Sequence, residues 1–212
     1  MEEVKHHPDS ARAQHPAREV VQMFVANRAA VVASAVLFCV VVAAFFGPML
    51  YPTDPFEMVW APFTPPGVDG FVLGTDYLGR DMLAGLLNGG RVSLTIGLVA
   101  ALMSVFIGIT FGALAGFYRG LVEEVLMRIT EFFQVLPTLL FSMVIVALFG
   151  ASLTVVTLAI GIVSWTAVAR ITRAEFLRIR ELEYVTASRA AGASNPVLIA
   201  RVILPNALPP II

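Results

Sequence analysis

Charged side chains are the main candidates for chemistry in this sequence of 212 residues, and nearly all of them lie outside its long apolar runs. Arg128 and Glu131 stand close to the start of such a run. They are three residues apart and so share one helix face, where an ion pair costs less than two separate charges would. Two interpretations stay open: the pair anchors the end of a helix, or it faces a water-filled path and acts in gating.

The residue types that this sequence lacks exclude some kinds of catalysis. Lys5 is the only lysine, so the chain holds no G-x-x-x-x-G-K-[ST] phosphate loop and does not hydrolyse ATP by that route. No serine lies in a G-x-S-x-G elbow, and no pair of carboxylates lies well inside an apolar run. These absences argue against a serine or metal-dependent enzyme within a membrane. They also argue against a proton-driven carrier, which usually needs a buried acid or histidine.

The three histidines do not predict a metal site. His6, His7 and His15 all lie in the polar arm of residues 1–28, where a solvated tail is the favoured interpretation. Cys39 is the only cysteine, so no disulfide can form within the chain. We therefore expect no bound metal and no catalytic residue.

Composition places the chain among integral membrane proteins, with 58% hydrophobic residues, 14% charged residues and a mean hydropathy of +0.84. Charges are absent from residues 29–53, 92–118 and 132–169. A membrane-spanning helix needs roughly 20 apolar residues, so the first two runs each hold one span and the last can hold two if the chain turns near Gly150-Ala151-Ser152. The sequence thus predicts an all-α membrane protein with four complete spans and the start of a fifth, at residues 29–50, 92–118, 125–149, 152–169 and 207–212.

Basic residues predict the orientation of these spans. Twelve of the fourteen Lys and Arg residues fall before span one, between spans two and three, or after span four, and only Arg80 and Arg91 lie between spans one and two. By the positive-inside rule, residues 1–28 and 170–206 are cytoplasmic. Residues 51–91 then form an external loop, and we expect Thr75 and Asp76 to cap a short helix in it that lies on the membrane surface.

Two features within the spans predict how the helices pack and bend. Small residues recur every four positions in span two, which would let another helix approach closely. Pro137 should kink span three by removing a backbone hydrogen bond. The small residues are Ala100, Ser104, Gly108, Gly112, Gly116 and Gly120.

A polar segment follows span four, and glycine and proline divide it. Residues 175–191 contain neither, which predicts one helix, and Gly192 is suited to a left-handed cap at its end. Ser194 and Asn195 offer side-chain oxygens to cap a second, short helix, with Pro196 at its first position. Pro205 is expected to end that helix.

The segment resembles the cytoplasmic signature loop of the membrane subunits of ABC importers. That pattern is E-A-A, three residues, Gly, nine residues and I-x-L-P, and here Gly192 precedes Val202-x-Leu204-Pro205 at the same spacing. Thr186, Ala187 and Ser188 fill the E-A-A positions, so the acidic residue is absent; Glu181 or Glu183 could replace it. The loop contains a coupling helix in that family, which implies that this segment docks on an ATPase subunit. The docking residues implied are Tyr184, Thr186, Ala187, Ser188, Gly192, Asn195, Arg201, Leu204 and Pro205.

A second string, Leu73-Gly74-Thr75-Asp76-x-Leu78-Gly79-Arg80-Asp81 followed by Gly90-Arg91, is similar to the second permease of dipeptide, oligopeptide and nickel importers. The resemblance implies the type I ABC importer transmembrane fold in a prokaryotic inner membrane. It also implies a heterodimer with another permease, two cytoplasmic ATPases that bind ATP and Mg, an external substrate-binding protein, and no nucleic acid. Peptides are the implied cargo, with nickel or glutathione as alternatives.

Two other functions stay open, a self-sufficient channel or secondary carrier and a structural membrane anchor. Members of the family usually have two spans after the signature loop, whereas this sequence stops soon after Pro205. We therefore expect either that the natural chain continues or that this is a shortened copy.

Overall fold

The computed structural model describes residues 24–211, which form helices joined by turns and by one long connecting segment. The predicted amino-terminal arm with its three histidines lies outside these residues, except for its last few positions. The helices are α1 (Arg28–Leu50), α2 (Met82–Tyr118), α3 (Gly120–Val135), α4 (Thr138–Phe149), α5 (Leu153–Ile179), α6 (Glu183–Ala190), α7 (Asn195–Val197) and α8 (Leu204–Ile211), with a π-helical stretch over Leu198–Ile203.

Three of the helices are long and apolar enough to cross a membrane, namely α1, α2 and α5. The pair α3 and α4 meets the same criteria together, with a bend of 85° between its halves. That pair corresponds to the predicted span three. Leu136 adopts an extended conformation, which is the conformation favoured for a residue before proline, and Pro137 precedes the first residue of α4. The predicted kink is therefore a complete break in the helix.

The chain divides into two compact units, and the first comprises the described residues up to Arg91. The side chain of Asn27 caps α1 by accepting a hydrogen bond from the Ala30 amide at 3.2 Å. In the connecting segment, the Thr75 hydroxyl donates to the Ala61 carbonyl at 2.6 Å and accepts from the Thr64 amide at 2.9 Å. These bonds tie the middle of the segment to its later part.

The predicted surface helix is not a separate element, because α2 runs without interruption from Met82 to Tyr118. Its cap is Asp81, which accepts hydrogen bonds from the Leu83 and Ala84 amides at 2.8 and 3.1 Å. Asp76 caps a single turn and not a helix, since its carboxylate accepts hydrogen bonds from the Leu78 and Arg80 amides. The Tyr51 hydroxyl also donates a hydrogen bond to Asp81, and this bond raises the pKa of Tyr51.

The second unit begins at Val92, and the small residues of α2 pack there against α5. A Cβ atom added to Gly108 would lie 2.6 Å from the Val168 Cβ, and one added to Gly116 would lie 2.6 Å from the Phe176 Cβ. One added to Gly112 would clash with the Ala169 carbonyl oxygen. Ser104 donates a hydrogen bond to the Gly161 carbonyl at 3.2 Å, and Ala100 is also buried. The helix that packs closely on the small residues of α2 is therefore α5, which corresponds to the predicted span four. Gly120 lies beyond the end of α2.

We predict that Gly112→Ala destabilises the packing of α2 on α5, because its methyl group has no room. Overpacking of this kind costs roughly 1–3 kcal/mol. Gly97→Ala is the matched control on the same helix, since a Cβ atom there meets nothing within 4 Å. Thermal unfolding of the purified protein in detergent should show a lower midpoint for the first variant alone. Equal midpoints would contradict the packing seen here.

Candidate coupling segment

The polar segment after α5 folds as two short helical parts, α6 and the run from α7 to α8. The prediction of one helix over residues 175–191 is wrong, because α5 ends at Ile179 and α6 begins at Glu183. Leu182 between them is extended, and its amide donates to the Ile179 carbonyl at 3.0 Å. Neither glycine nor proline marks this turn. Contacts made by the side chains of the turn, described below, compete with the local helix propensity.

The predicted left-handed cap at Gly192 is confirmed. Gly192 has φ of +89°, and its amide donates to the Arg189 carbonyl at 3.0 Å. The next amide, of Ala193, reaches back to the Ser188 carbonyl at 3.1 Å. This pair of bonds is the Schellman motif, which satisfies carbonyls at the end of a helix and favours glycine at the left-handed position.

The second helical part differs from the prediction in three ways. Ser194 precedes α7, but its side chain makes no capping hydrogen bond, and Asn195 is the first residue inside the helix. Pro196 therefore takes the second position rather than the first. Pro205 does not end the helix, because α8 continues from Leu204 to Ile211. The wider π-helical turn over Leu198–Ile203 leads directly into α8, so Pro205 lies where the hydrogen-bonding pattern changes from the π-helix to the α-helix.

The apolar side chains of this segment are buried in one cluster with the ends of α2 and α5. Val185, Leu198 and Ile203 are completely buried there. The cluster also contains Ala113 and Phe117 of α2, Phe176 and Ile179 of α5, and Ala207 and Ile211 of α8. The segment is therefore not a free loop, because its inner face is part of the core of the second unit.

The predicted docking residues lie mainly on the opposite face. Seven of the nine are exposed, namely Tyr184, Thr186, Ala187, Gly192, Asn195, Arg201 and Pro205. Ser188 and Leu204 are half-buried, and the Ser188 hydroxyl donates to the Tyr184 carbonyl at 2.8 Å. Of the two acidic candidates, Glu181 is paired with Arg119 at 2.8 Å, whereas Glu183 is exposed in the first turn of α6. The segment thus combines a buried apolar face with an exposed face of mixed polarity.

Several side chains that attach this segment were missed by the sequence reasoning. Arg180 donates hydrogen bonds to the carbonyls of Phe117 and Gly116 at the end of α2, and burial lowers its pKa. Arg189 lies over the Phe117 ring, with its guanidinium carbon 5.9 Å from the ring centroid. No local pattern could have revealed these contacts, because each joins residues more than 60 positions apart.

The charged pair Arg128 and Glu131 forms the expected ion pair, with a distance of 3.2 Å and both side chains exposed. It lines a groove of about 330 Å³ together with Gly120, Glu123, Glu124, Met127 and Arg173. Across this groove, Arg173 of α5 donates two hydrogen bonds to Glu123 of α3. No group of metal-ligating side chains occurs among residues 24–211. The groove is therefore a charged surface between two helices.

Two protein-family models match parts of the chain. Residues 108–212 match the family model described as the binding-protein-dependent transport system inner membrane component. The chain belongs to this family. Residues 15–66 match a second model, the N-terminal transmembrane domain of oligopeptide transport permease C. The family consists of permease components of ABC importers, so the chain is a multi-pass inner-membrane protein rather than an enzyme, as the sequence predicted.

Relatives of this permease component include a di/tripeptide transport system permease of Pseudomonas aeruginosa, 40% identical over 93% of the chain and 67% of the relative. An oligopeptide transport system permease of Haemophilus influenzae is 33% identical over 90% of the chain and 62% of the relative. A glutathione transport system permease of Pectobacterium atrosepticum is 31% identical over 93% of the chain and 66% of the relative. The chain thus spans about two thirds of the length of these relatives.

We predict that Leu198→Ala loosens the attachment of the coupling segment to the core. Removing a completely buried leucine side chain costs roughly 2–5 kcal/mol, so amides in α6 and α8 should exchange hydrogen faster. Val197→Ala is the matched control, because the neighbouring side chain is 38% exposed. Hydrogen exchange followed by mass spectrometry measures both. Unchanged exchange in the Leu198 variant would argue against the buried cluster.

Proposed function

We propose that this permease component transports peptides as one of two membrane subunits of an ATP-driven importer, and that residues 183–205 couple it to the ATPase. The observation that supports this proposal is that the segment has one buried face and one exposed face. Its inner face belongs to the core that joins α2 and α5, while its outer face exposes most of the residues in the signature loop. A surface held in this way can bind a partner and pass its movement to the membrane helices.

The partners follow from this role. Two cytoplasmic ATPases bind ATP and Mg and dock on the exposed face, whereas the permease itself binds neither. A second permease completes the pathway, and an external binding protein delivers the substrate. The amino terminus and the coupling segment both lie in the cytoplasm, in agreement with the distribution of arginine.

Glu183 is the better candidate for the acidic contact that Thr186 does not provide. Glu181 already has a partner in Arg119, whereas Glu183 is exposed at the start of α6 and makes no ion pair with any residue between 24 and 211. Docking requires only that the carboxylate reach a basic or polar group on the ATPase. Tyr184 and Arg201 are also exposed and offer further hydrogen bonds.

Small peptides are the proposed cargo, because the relatives are permeases of dipeptide, tripeptide and oligopeptide systems. Glutathione is the second candidate on account of the Pectobacterium relative. Both cargoes are short chains with charged termini. The three cargoes named from the sequence can be separated by measuring uptake of a labelled dipeptide. The assay is repeated with an excess of unlabelled glutathione or of nickel, and a competitor that lowers dipeptide uptake binds the same transporter.

We predict that Gly192→Val abolishes uptake while the protein still reaches the membrane. A Cβ atom at this position meets nothing within 4 Å, so the effect comes from the backbone at φ of +89° and not from a clash. That conformation costs a β-branched residue roughly 1–2 kcal/mol. Gly192→Asn is the matched control, since asparagine tolerates the left-handed region. Uptake of a labelled dipeptide at equal protein level measures the difference.

Normal uptake by the Gly192→Val protein would remove the coupling role of the segment. Transport by the purified permease in vesicles without any ATPase would instead favour a self-sufficient channel or carrier. ATPase binding without any transport by the assembled complex would favour a structural anchor.

We predict that Arg201→Glu weakens binding of the ATPase without unfolding the permease, because this side chain is exposed on the docking face. Loss of one charge-assisted contact, and its replacement by a repulsive charge, should lower affinity by about tenfold or more. Titration of detergent-purified permease complex with the ATPase measures this affinity. Arg201→Lys keeps the charge and is expected to retain most of the binding.

A further inference from the structure

Three side chains join the turn between α5 and α6 to the corner between α2 and α3. The turn comprises residues 180–182, and the corner comprises residues 117–120. Arg119 and Gly120 in the corner both have positive φ, of 56° and 57°, so the helical path of α2 is interrupted there before α3 begins. The corner thus connects the close-packed helix α2 to the broken pair α3 and α4.

Arg180 makes the tightest of these contacts. Only 17% of its side chain is exposed, and its guanidinium donates hydrogen bonds to the last carbonyls of α2. Those carbonyls have no partner within the helix, and a cation there also complements the negative end of the helix dipole. Arg180 therefore fixes the turn to the end of α2.

The Arg119–Glu181 ion pair makes the second contact, with a distance of 2.8 Å and side-chain exposures of 46% and 62%. Ion pairs as exposed as this one contribute little to stability. Its position is more informative than its strength, because Arg119 directly precedes α3 and Glu181 directly follows Arg180. The pair therefore links the turn to the start of α3.

The first turn of α3 is held a second time, by Glu123. That carboxylate accepts two hydrogen bonds from Arg173 of α5, and one of them is 2.6 Å long. The start of α3 is therefore bound both to α5 and to the turn that follows α5. A displacement of the turn must either move the start of α3 or break these contacts.

We infer that Arg180 and the Arg119–Glu181 pair form a clasp that transmits displacement of the docked coupling segment to the broken pair α3 and α4. Arg180 and Glu181 are positioning residues in this inference, because they touch neither ATP nor cargo. The inference rests on the proposed function, since it needs an ATPase that moves the segment. It assigns the path of that movement to the corner, through contacts that stay closed during transport.

The test compares charge reversals in the assembled transporter in lipid vesicles, with both peptide uptake and ATP hydrolysis measured. Arg119→Glu and Glu181→Arg each place like charges together and should open the clasp. We expect each to lower the peptide transported per ATP hydrolysed by about fivefold or more, the lower end of typical coupling between sites. The double variant restores opposite charges and should recover the ratio to within about twofold of the original protein.

Arg178→Glu is the matched control. Arg178 pairs with Glu175 on the same helix at 2.6 Å and joins no second element in the described part of the chain, so its reversal should leave the ratio unchanged. Thermal unfolding and recovery of the assembled complex test whether any variant fails to fold. If a reversal does prevent assembly, Arg119→Gln removes the pair without repulsion and should lower the same ratio.

The outcomes separate this inference from the proposed function. If the original complex transports peptide on ATP hydrolysis and the single reversals transport at the same ratio, the clasp is overturned and the function stands. A double variant as impaired as the single ones also overturns it, because the charges would then act elsewhere. If the original complex shows no ATP-dependent transport, the proposed function itself fails.

Discussion

The close approach of α2 and α5 is the constraint on which the rest of the second unit depends. Three glycines along α2 bring the two backbones together so closely that an added methyl group would overlap Val168, Ala169 or Phe176. In a bilayer the hydrophobic effect does not drive helices together, so packing contacts of this kind must supply much of the attraction. The buried face of the coupling segment packs on the ends of these two helices.

The coupling segment extends this contact beyond the spans. Phe176 and Ile179 continue the buried face of α5, and Val185, Leu198 and Ile203 pack on them. Because the inner face is completely buried, the segment has one orientation relative to α5, and its exposed face is presented as a defined surface. The function of the segment then depends on the same burial that stabilises it.

The sequence predicted those parts of this arrangement that follow from local chemistry. Gly192 was correctly assigned to a left-handed cap, because that conformation has a strong residue preference, and the four-residue spacing from Ala100 to Gly116 correctly indicated a close helix contact. The turn at residues 180–182 and the continuation past Pro205 were not predicted. Both depend on distant partners: Arg180 needs the carbonyls of α2, and α8 needs the apolar cluster around Phe176. The order of polar and apolar residues within the segment indicates neither the turn nor the continued helix.

The distribution of contact types indicates which parts of the second unit can move. The α2–α5 contact leaves no room for further atoms, because the two backbones pack directly on each other. It is therefore suited to act as a fixed frame. By contrast, α3 and α4 meet at a break of 85°, and Pro137 has no amide hydrogen to donate across it. The angle at such a break can change while the glycine interface and the polar contacts at the start of α3 stay closed. A transporter needs two arrangements separated by only a few kcal/mol, and the break between α3 and α4 is where this permease can change its angle.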